Sequence, residues 1–293
     1  MGKRSVVITG CSSGIGRALC YALHSKVDHK GEKLFHVFAT ARRIQTLKQL
    51  AEDGISTATC DVTSAASVTA CIEDICKQAG VIDILINNAG MQATGPLVEQ
   101  PLEYFQQVMD TNLTGAVRMT QTVVPAMLAR GSGLVVNICS VSSYVDLPLS
   151  AAYCASKAAL LSLTNCLRME VQALGVNVLA VTAGVIESEI RNNNKCDFDR
   201  YYGKESAYHS IADAIQKRMD VPAKDGPIMT ACEAAEDIAA AIMQRKPPRE
   251  LVTGGKARTA LLGGFIQKWV YPEFVERKFM KMFGLQGLKA ASA

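Results

Sequence analysis

From its fourth residue onward this chain alternates short β-branched and apolar runs with longer segments of helical period. That alternation is the pattern of a parallel sheet covered by helices on both faces. Ser5-Val6-Val7-Ile8-Thr9, Phe35 to Thr40, Ile55 to Cys60, Ile82 to Ile86, Leu134 to Ile138 and Val176 to Val181 read as six strands. Helical segments start near Ile15, pass through Leu47 and Leu50, cover Ser67 to Gln78, and run from Pro101 toward Ala129 and from Ala151 to Leu174. Pro101 suits a first helical turn, where its missing N–H costs nothing, whereas Pro125 would kink the same helix. The expected fold is α/β, a single doubly wound parallel sheet with helices on both faces. At 293 residues one such sheet buries roughly three quarters of the surface its unfolded chain exposes, so neither metal nor disulfide is needed for stability.

No repeat or linker divides the chain, so residues 1–293 are read as one domain, with residues 4–185 its core. Glu187 to Gly226 is polar, carries tyrosines and is longer than a plain connection, which marks residues 186–229 as a lid. Thr230-Ala-Cys-Glu233 is a capping box that opens a helix ending before Pro247-Pro248. Residues 256–293 form an apolar and basic tail.

The net charge of +4, with no long run of one sign, excludes a nucleic-acid protein. Ten cysteines without a Cys-x-x-Cys pair read as reduced thiols in a cytosol-facing compartment, and His24, His29, His36 and His209 have no ligand spacing, so no metal site is expected. No apolar stretch reaches the roughly 18 residues that span a bilayer. With three residues before the first strand, no transit peptide is expected, and Ala-Ser-Ala at the end is neither a prenylation box nor a peroxisomal address.

Four places carry chemistry. Thr9-Gly10-Cys11-Ser12-Ser13-Gly14-Ile15-Gly16 lies between a strand and a helix, where small residues let a pyrophosphate approach the helix N-terminus. Ala39-Thr40-Ala41-Arg42-Arg43 ends the second strand without the acid that would hold a free ribose 2′-hydroxyl. A guanidinium there matches a 2′-phosphate; the alternative is that both arginines are solvated at a helix start. Tyr153 and Lys157 sit one helical turn apart on one face, where a cation favours the phenolate and suits the phenol to proton exchange. Ser140 ends the fifth strand, the edge at which ligands of open α/β sheets gather.

With Asp61-Val62 after the third strand, Asn87-Asn88-Ala89-Gly90, and Asn112 in Asn-Leu-Thr-Gly, these motifs in this order resemble the short-chain dehydrogenase/reductase family, over roughly residues 4 to 185. The resemblance implies a Rossmann-type sheet and NADPH or NADP as cofactor. It implies that Tyr153 exchanges the proton of a carbonyl oxygen, that Ser140 hydrogen-bonds the same oxygen, that Lys157 binds the nicotinamide ribose, and that Asn112 holds the water linking Lys157 to solvent. The cofactor set it implies is Gly10, Ser12, Ser13, Gly14, Ile15, Gly16, Arg42, Asp61, Val62, Asn88, Ala89, Gly90, Tyr153, Lys157, Gly184, Val185 and Ser188. Two departures stand out: Ala183-Gly184 replaces the family's frequent Pro-Gly, and Ser13 replaces the base of some NADPH-using members, which leaves the preference on Arg42. The intact set of Asn112, Ser140, Tyr153 and Lys157 argues against a scaffold that binds cofactor without turnover.

Within the family, Thr9 to Gly16, Phe38 to Thr40, Gly115 to Thr120 and Tyr153 to Lys157 resemble the 17β-hydroxysteroid and retinol dehydrogenase branch. The missing proline, the lid and the tail from Lys246 to Leu288 resemble NADPH-dependent 1-acyldihydroxyacetone-phosphate reductases. Either way a small, lipid-like ketone is the expected substrate. Arg191, Lys195, Arg200 and Lys204 are bases available to a phosphate, and Tyr201, Tyr202, Tyr208 and His209 are available to line a pocket. Family members pair through long helices, which implies a homodimer through those from Pro101 and Ala151. In the tail, Leu261, Leu262, Phe265, Ile266 and Trp269 recur at helical spacing. Lys256, Arg258, Lys268, Arg277, Lys278, Lys281 and Lys289 stand there against Glu273 and Glu276. Two readings are open: contact with an endoplasmic-reticulum or lipid-droplet surface by a cytoplasmic protein, or a roof over the pocket. Gly263-Gly264 weakens the helix in both.

Overall fold

The computed structural model describes residues 2–92, 94–187, 203–220 and 228–288. Seven strands form one sheet: β1 Arg4–Ile8, β2 Phe35–Ala41, β3 Ser56–Thr59, β4 Ile84–Asn87, β5 Gly133–Ser140, β6 Val176–Ala183 and β7 Glu250–Thr253. They lie in the order β3-β2-β1-β4-β5-β6-β7, and every pairing is parallel. The chain builds outward from β1 to β3, then returns to lay β4 on the other side of β1. The carboxyl ends of β1 and β4 therefore diverge into a crevice, the ligand position of a doubly wound sheet.

Alternate side chains of each strand serve opposite layers. Val6 and Ile8 pack with α1 (Gly14–His24), α2 (Lys48–Glu52) and α8 (Ala231–Met243) on one face, through Leu19, Leu50 and Ile238. Val7 and Leu85 pack with α3 (Ala65–Ala79) and α5 (Gly115–Arg130) on the other, through Ile72, Ile75 and Met119. The helix caps do what their residue types allow. Ser64 accepts from the Ser67 N–H to open α3, and Thr230 and Glu233 cap each other's main chain at α8.

Three features differ from the sequence expectation. The seventh strand, β7, has four residues, begins with a charge and lies at the sheet edge, too short and too polar to register as a period. Buried Arg168 fixes it, donating from Nε to the Val178 carbonyl at 2.9 Å and from Nη2 to the Arg249 carbonyl at 2.8 Å. The helix from Pro101 is not continuous. Pro101 is the cap of α4 (Leu102–Met109), a π turn follows at Asp110–Thr114, and α5 then carries Pro125 inside it. Finally, Gly264 is required where it stands. It lies in α9 (Ala257–Phe265), and a Cβ there would collide with the Tyr144 carbonyl oxygen.

After α9 come a π turn, Ile266–Val270, and α10, Pro272–Met282. Phe283 closes a small apolar cluster with Leu149 and with Ile211 and Ile215 at the start of α7 (Ala212–Asp220) and the turn before it. The described residues 208–215 and the C-terminal segment thus meet over the loop that follows β5. Among the described residues, no helix is long and apolar enough to cross a membrane.

Gly175, which turns the chain into β6, has φ +85°, and a Cβ there would overlap the Gly131 carbonyl oxygen, whereas Gly54 has φ +82° and open space around it. Gly54→Ala should therefore cost about 1–2 kcal/mol from backbone strain alone, and Gly175→Ala about 3 kcal/mol or more because the main chains must also separate. Urea denaturation of both variants measures this; equal losses would show that the close approach of the two turns relaxes freely.

Candidate active site

The crevice is joined across its floor by one hydroxyl. Thr9, 1% exposed at the end of β1, accepts through Oγ1 from the N–H groups of Asn88 and Ala89, both at 3.0 Å, and its own N–H donates to the Ile86 carbonyl at 3.0 Å. The Asn88 amide returns the contact, donating from Nδ2 to the carbonyls of Thr9 at 2.9 Å and Gly10 at 3.1 Å. Gly10, at φ +72°, packs its Cα side against Ala89, and a Cβ on Gly16 would strike the Gly10 carbonyl and Asn88 Nδ2. The loop is therefore backbone-lined. Ser13 is the N-cap of α1, yet its side chain caps nothing, so the first N–H groups of α1 remain for a ligand anion.

Beside this cradle, β2 ends at Ala41 and leaves Arg42 exposed. After β3, Asp61 takes the Thr63 N–H at 3.0 Å and the Thr63 hydroxyl at 2.7 Å on Oδ1, while Val62 is buried and its carbonyl accepts from Arg118 Nη1 at 3.1 Å. Arg118 also pairs with Asp110 at 2.8 Å, which ties this wall to the π turn.

The π turn carries Asn112 inward to 1% exposure. Its Oδ1 accepts from the Met91 N–H at 2.8 Å, and its Nδ2 donates to the Met91 carbonyl at 2.9 Å and to Ser156 Oγ at 3.0 Å. Asn112 thus fixes the strand of chain following Gly90 against α6 (Ala151–Val171). On α6, Tyr153 is half-buried and Lys157 is 4% exposed, with Nζ 5.9 Å from the Tyr153 ring centroid and 2.8 Å from the Ile138 carbonyl, to which it donates. Burial holds the Lys157 ammonium below the usual lysine range. Ser140 closes β5 and caps the short turn Val141–Ser143, accepting from the Ser142 N–H at 3.1 Å. Ser143 in turn donates to the Lys157 carbonyl at 2.9 Å, so the Ser140 loop and the Tyr153 helix are held in register.

Gly184 and Val185 follow β6 and are pinned by main-chain bonds, Gly184 N–H to Thr253 at 2.8 Å and Val185 N–H to Gly255 at 2.9 Å. A Cβ on Gly184 would press on Gly255 and Ala257, so the shift from Pro-Gly to Ala-Gly keeps the residue that the packing needs. Ser188, Arg191, Lys195, Arg200, Tyr201 and Tyr202 lie outside the described residues. Of the remaining lid residues, Lys204 and His209 are exposed and Tyr208 is half-buried.

The structure brings Gly10, Gly14, Gly16, Asn88 to Gly90, Asn112, Ser140, Tyr153 and Lys157 to the carboxyl edge of one sheet. It adds residues that the motif reading did not single out: Thr9 as a bridge, Ser143 and Ser156 as braces, and Glu99. The Glu99 carboxylate anchors the segment after residue 203 by accepting from the Ser206 hydroxyl at 2.7 Å and the Ala207 N–H at 3.0 Å. Nothing local marks Glu99 or Ser156, whereas the Ser140-Val-Ser-Ser143 spacing is a cap signal. A backbone cradle for a pyrophosphate, next to a phenol, a hydroxyl and a buried ammonium, can bind a dinucleotide and move a proton to or from a bound oxygen.

Comparison with known proteins agrees with this geometry. The family described as short chain dehydrogenase matches residues 4–197. The NADPH-dependent 1-acyldihydroxyacetone phosphate reductase of Schizosaccharomyces pombe is 37% identical over 192 residues, 65% of this chain and 62% of that protein. The chain thus spans less than two thirds of that relative's length. In structure the chain is similar to a short-chain dehydrogenase from Streptomyces avermitilis, with TM-score 0.73, 27% identity and coverage of 97% and 98% of the two chains. It is also similar to an actinorhodin polyketide ketoreductase variant with NADPH, with TM-score 0.68, 30% identity and coverage of 87% and 97%.

Burial of Lys157 has a sign that can be measured. Its folded pKa is depressed, so between that value and the unfolded value of about 10.4 the unfolded chain binds more protons, and stability rises with pH. The stability of wild type minus that of Lys157→Met should therefore increase from neutral pH toward about pH 10. Denaturant titrations at several pH values measure the difference; a flat or falling difference would show that the ammonium is compensated in full.

Proposed function

The chain belongs to the short chain dehydrogenase family, and from that premise we propose that it is an NADPH-dependent reductase of a lipid-like ketone, above all a 1-acyl-dihydroxyacetone phosphate. The observation that carries the reading is the placement of Ser140 at the end of β5 with Tyr153 and Lys157 on the helix braced to the Ser140 turn, at the carboxyl edge of the sheet that holds the glycine turn. The residues present suit NADPH: the glycine turn has no room for a Cβ at Gly10 or Gly16, α1 begins without a side-chain cap, and exposed Arg42, the residue after β2, has the charge and fork geometry that would pair with a 2′-phosphate. When bound, this cofactor supplies the hydride. The name of the fission-yeast relative and the NADPH of the ketoreductase structure support both cofactor and substrate class.

In this mechanism the main-chain N–H groups of the turn and α1 hold the pyrophosphate, and the Asp61-Val62 wall meets the adenine. Ser140 donates a hydrogen bond to the carbonyl oxygen and orients it, and Tyr153 gives that oxygen its proton. Lys157 holds the nicotinamide ribose and keeps a positive charge under the phenol. The Asn112 amide already spends both its hydrogens, on Met91 and Ser156. Its part toward water and Lys157 therefore passes through the main chain of the π turn. Gly184, Val185 and Ser188 serve the carboxamide end. A homodimer through the long helices also belongs to this reading; the outer side of α6 leaves Cys166 and Met169 exposed.

One observation favours a second reading, a 17β-hydroxysteroid or retinol dehydrogenase with the same mechanism. That observation is the likeness of Thr9 to Gly16, Phe38 to Thr40, Gly115 to Thr120 and Tyr153 to Lys157 to that branch.

Initial rates of NADPH oxidation with 1-palmitoyl-dihydroxyacetone phosphate, estrone and retinal separate the readings. The acyl ketone phosphate should be preferred, and Tyr153→Phe should lower its turnover roughly 10²–10⁴-fold while leaving NADPH binding largely intact. Preference for estrone or retinal would select the second reading, and full turnover by Tyr153→Phe would remove the phenol from its role.

A further inference from the structure

The apolar stripe of the tail divides into two faces. On the inner face, Gly264 rests on the Tyr144 main chain, and buried Gln267 grips Asp146, two residues further on, at both its N–H and its carbonyl. Gln267 Oε1 accepts from the Asp146 N–H at 3.1 Å, and its Nε2 donates to the Asp146 carbonyl at 3.2 Å. Further along, Phe279 and Phe283 pack under the same loop, on Leu149 and the start of α7. This loop follows Ser140, so the segment is anchored beside the mouth of the catalytic crevice.

The outer face is the opposite in character. Leu262, Phe265, Trp269, Val270, Tyr271 and Phe274 are each more than half exposed, with Trp269 at 77%. They follow helical spacing across α9, the π turn and the start of α10, and the Tyr271 and Phe274 rings meet at a tilt with centroids 6.1 Å apart. A monomeric surface seldom leaves so many large apolar side chains contiguous without a use. The rim is basic: Lys256, Arg258, Lys268, Arg277, Lys278 and Lys281 are all exposed, against Glu273 and Glu276, of which Glu273 pairs with Arg277 at 3.3 Å. Aromatic and aliphatic side chains flanked by a surplus of cations are complementary to an anionic bilayer surface, with the rings at headgroup depth and the bases on the phosphates.

We infer that the outer face of residues 262–274, with its rim of bases, docks the protein on an anionic lipid surface. The inner face of the same helices holds the catalytic loop, so docking presents the crevice mouth to the interface from which an amphiphilic ketone arrives. This deepens the proposed function and takes from it only the nature of the substrate; docking itself is tested without turnover.

Trp269 is the only tryptophan of the chain, so its fluorescence reports the face directly. The test is flotation of the full chain with vesicles of phosphatidylcholine, with and without phosphatidylserine, followed alongside by Trp269 emission. Wild type should float with the anionic vesicles and its emission should shift to the blue. Leu262→Glu/Phe265→Glu should lose binding about tenfold or more, and the charge reversal Lys278→Glu/Lys281→Glu about tenfold on anionic vesicles alone. The second pair alters exposed side chains only, so it remains informative even where the first melts early. Absence of wild-type flotation, or equal flotation of all three proteins, would overturn the inference. So would a wild-type dimer in sedimentation velocity that Leu262→Glu/Phe265→Glu dissociates, because a second copy would then own the face.

Discussion

The site depends first on the buried hydroxyl of Thr9. At the switch point of the sheet, the turns leaving β1 and β4 must separate enough to admit a ligand yet hold their main-chain polar groups satisfied out of water. Thr9 Oγ1 meets that constraint by accepting from two consecutive N–H groups of the β4 turn, while Asn88 answers two carbonyls of the β1 turn. With both turns satisfied by each other, the N–H groups at the start of α1 are left to the crevice. The glycines follow from the same closeness, since neither Gly10 nor Gly16 has space for a Cβ.

A second layer of polar contacts sets the rotation of α6, and with it the direction of Tyr153 and Lys157. In the core beneath them, the Asn87 amide donates to Asn137 Oδ1 at 2.8 Å, and Asn137 donates to Thr164 Oγ1 at 2.8 Å, crossing β4, β5 and α6 in one line. Buried hydrogen bonds of this kind specify one arrangement among those that apolar packing alone would tolerate. Above them, Asn112, Ser143 and Ser156 brace the same helix from the π turn and the Ser140 loop. The buried Lys157 ammonium opposes stability, and the Ile138 carbonyl offsets part of that opposition.

Much of this was legible in the residues, and what was not has physical reasons. Strands buried on both faces announce themselves by continuous apolar runs, which is why β1, β2, β4, β5 and β6 stand out. Edge strand β7 has only four residues and is fixed by Arg168, eighty residues away in sequence. The π turn is invisible because apolar periodicity continues through it; only the inward pull on Asn112 shows that the coil has widened. Short motifs singled out Tyr153, Lys157, Ser140 and the glycine turn, since their spacing is local, and the structure gathers them at one edge of the sheet. Thr9, Glu99 and Ser156 act through contacts that exist only after folding. The tail carried two readings because its period fits both; the structure assigns Gly264 and Gln267 to the protein and Leu262, Phe265 and Trp269 to the outside.

The central claim is that this crevice passes a hydride from NADPH to a ketone whose oxygen Tyr153 protonates. Its most direct measurement is a single turnover with NADPH deuterated at the transferred position of nicotinamide C4, followed by mass spectrometry of the alcohol formed from the acyl ketone phosphate. Deuterium on the new carbinol carbon is the predicted result. An alcohol without the label, or no alcohol from this or any other carbonyl despite bound NADPH, would contradict it.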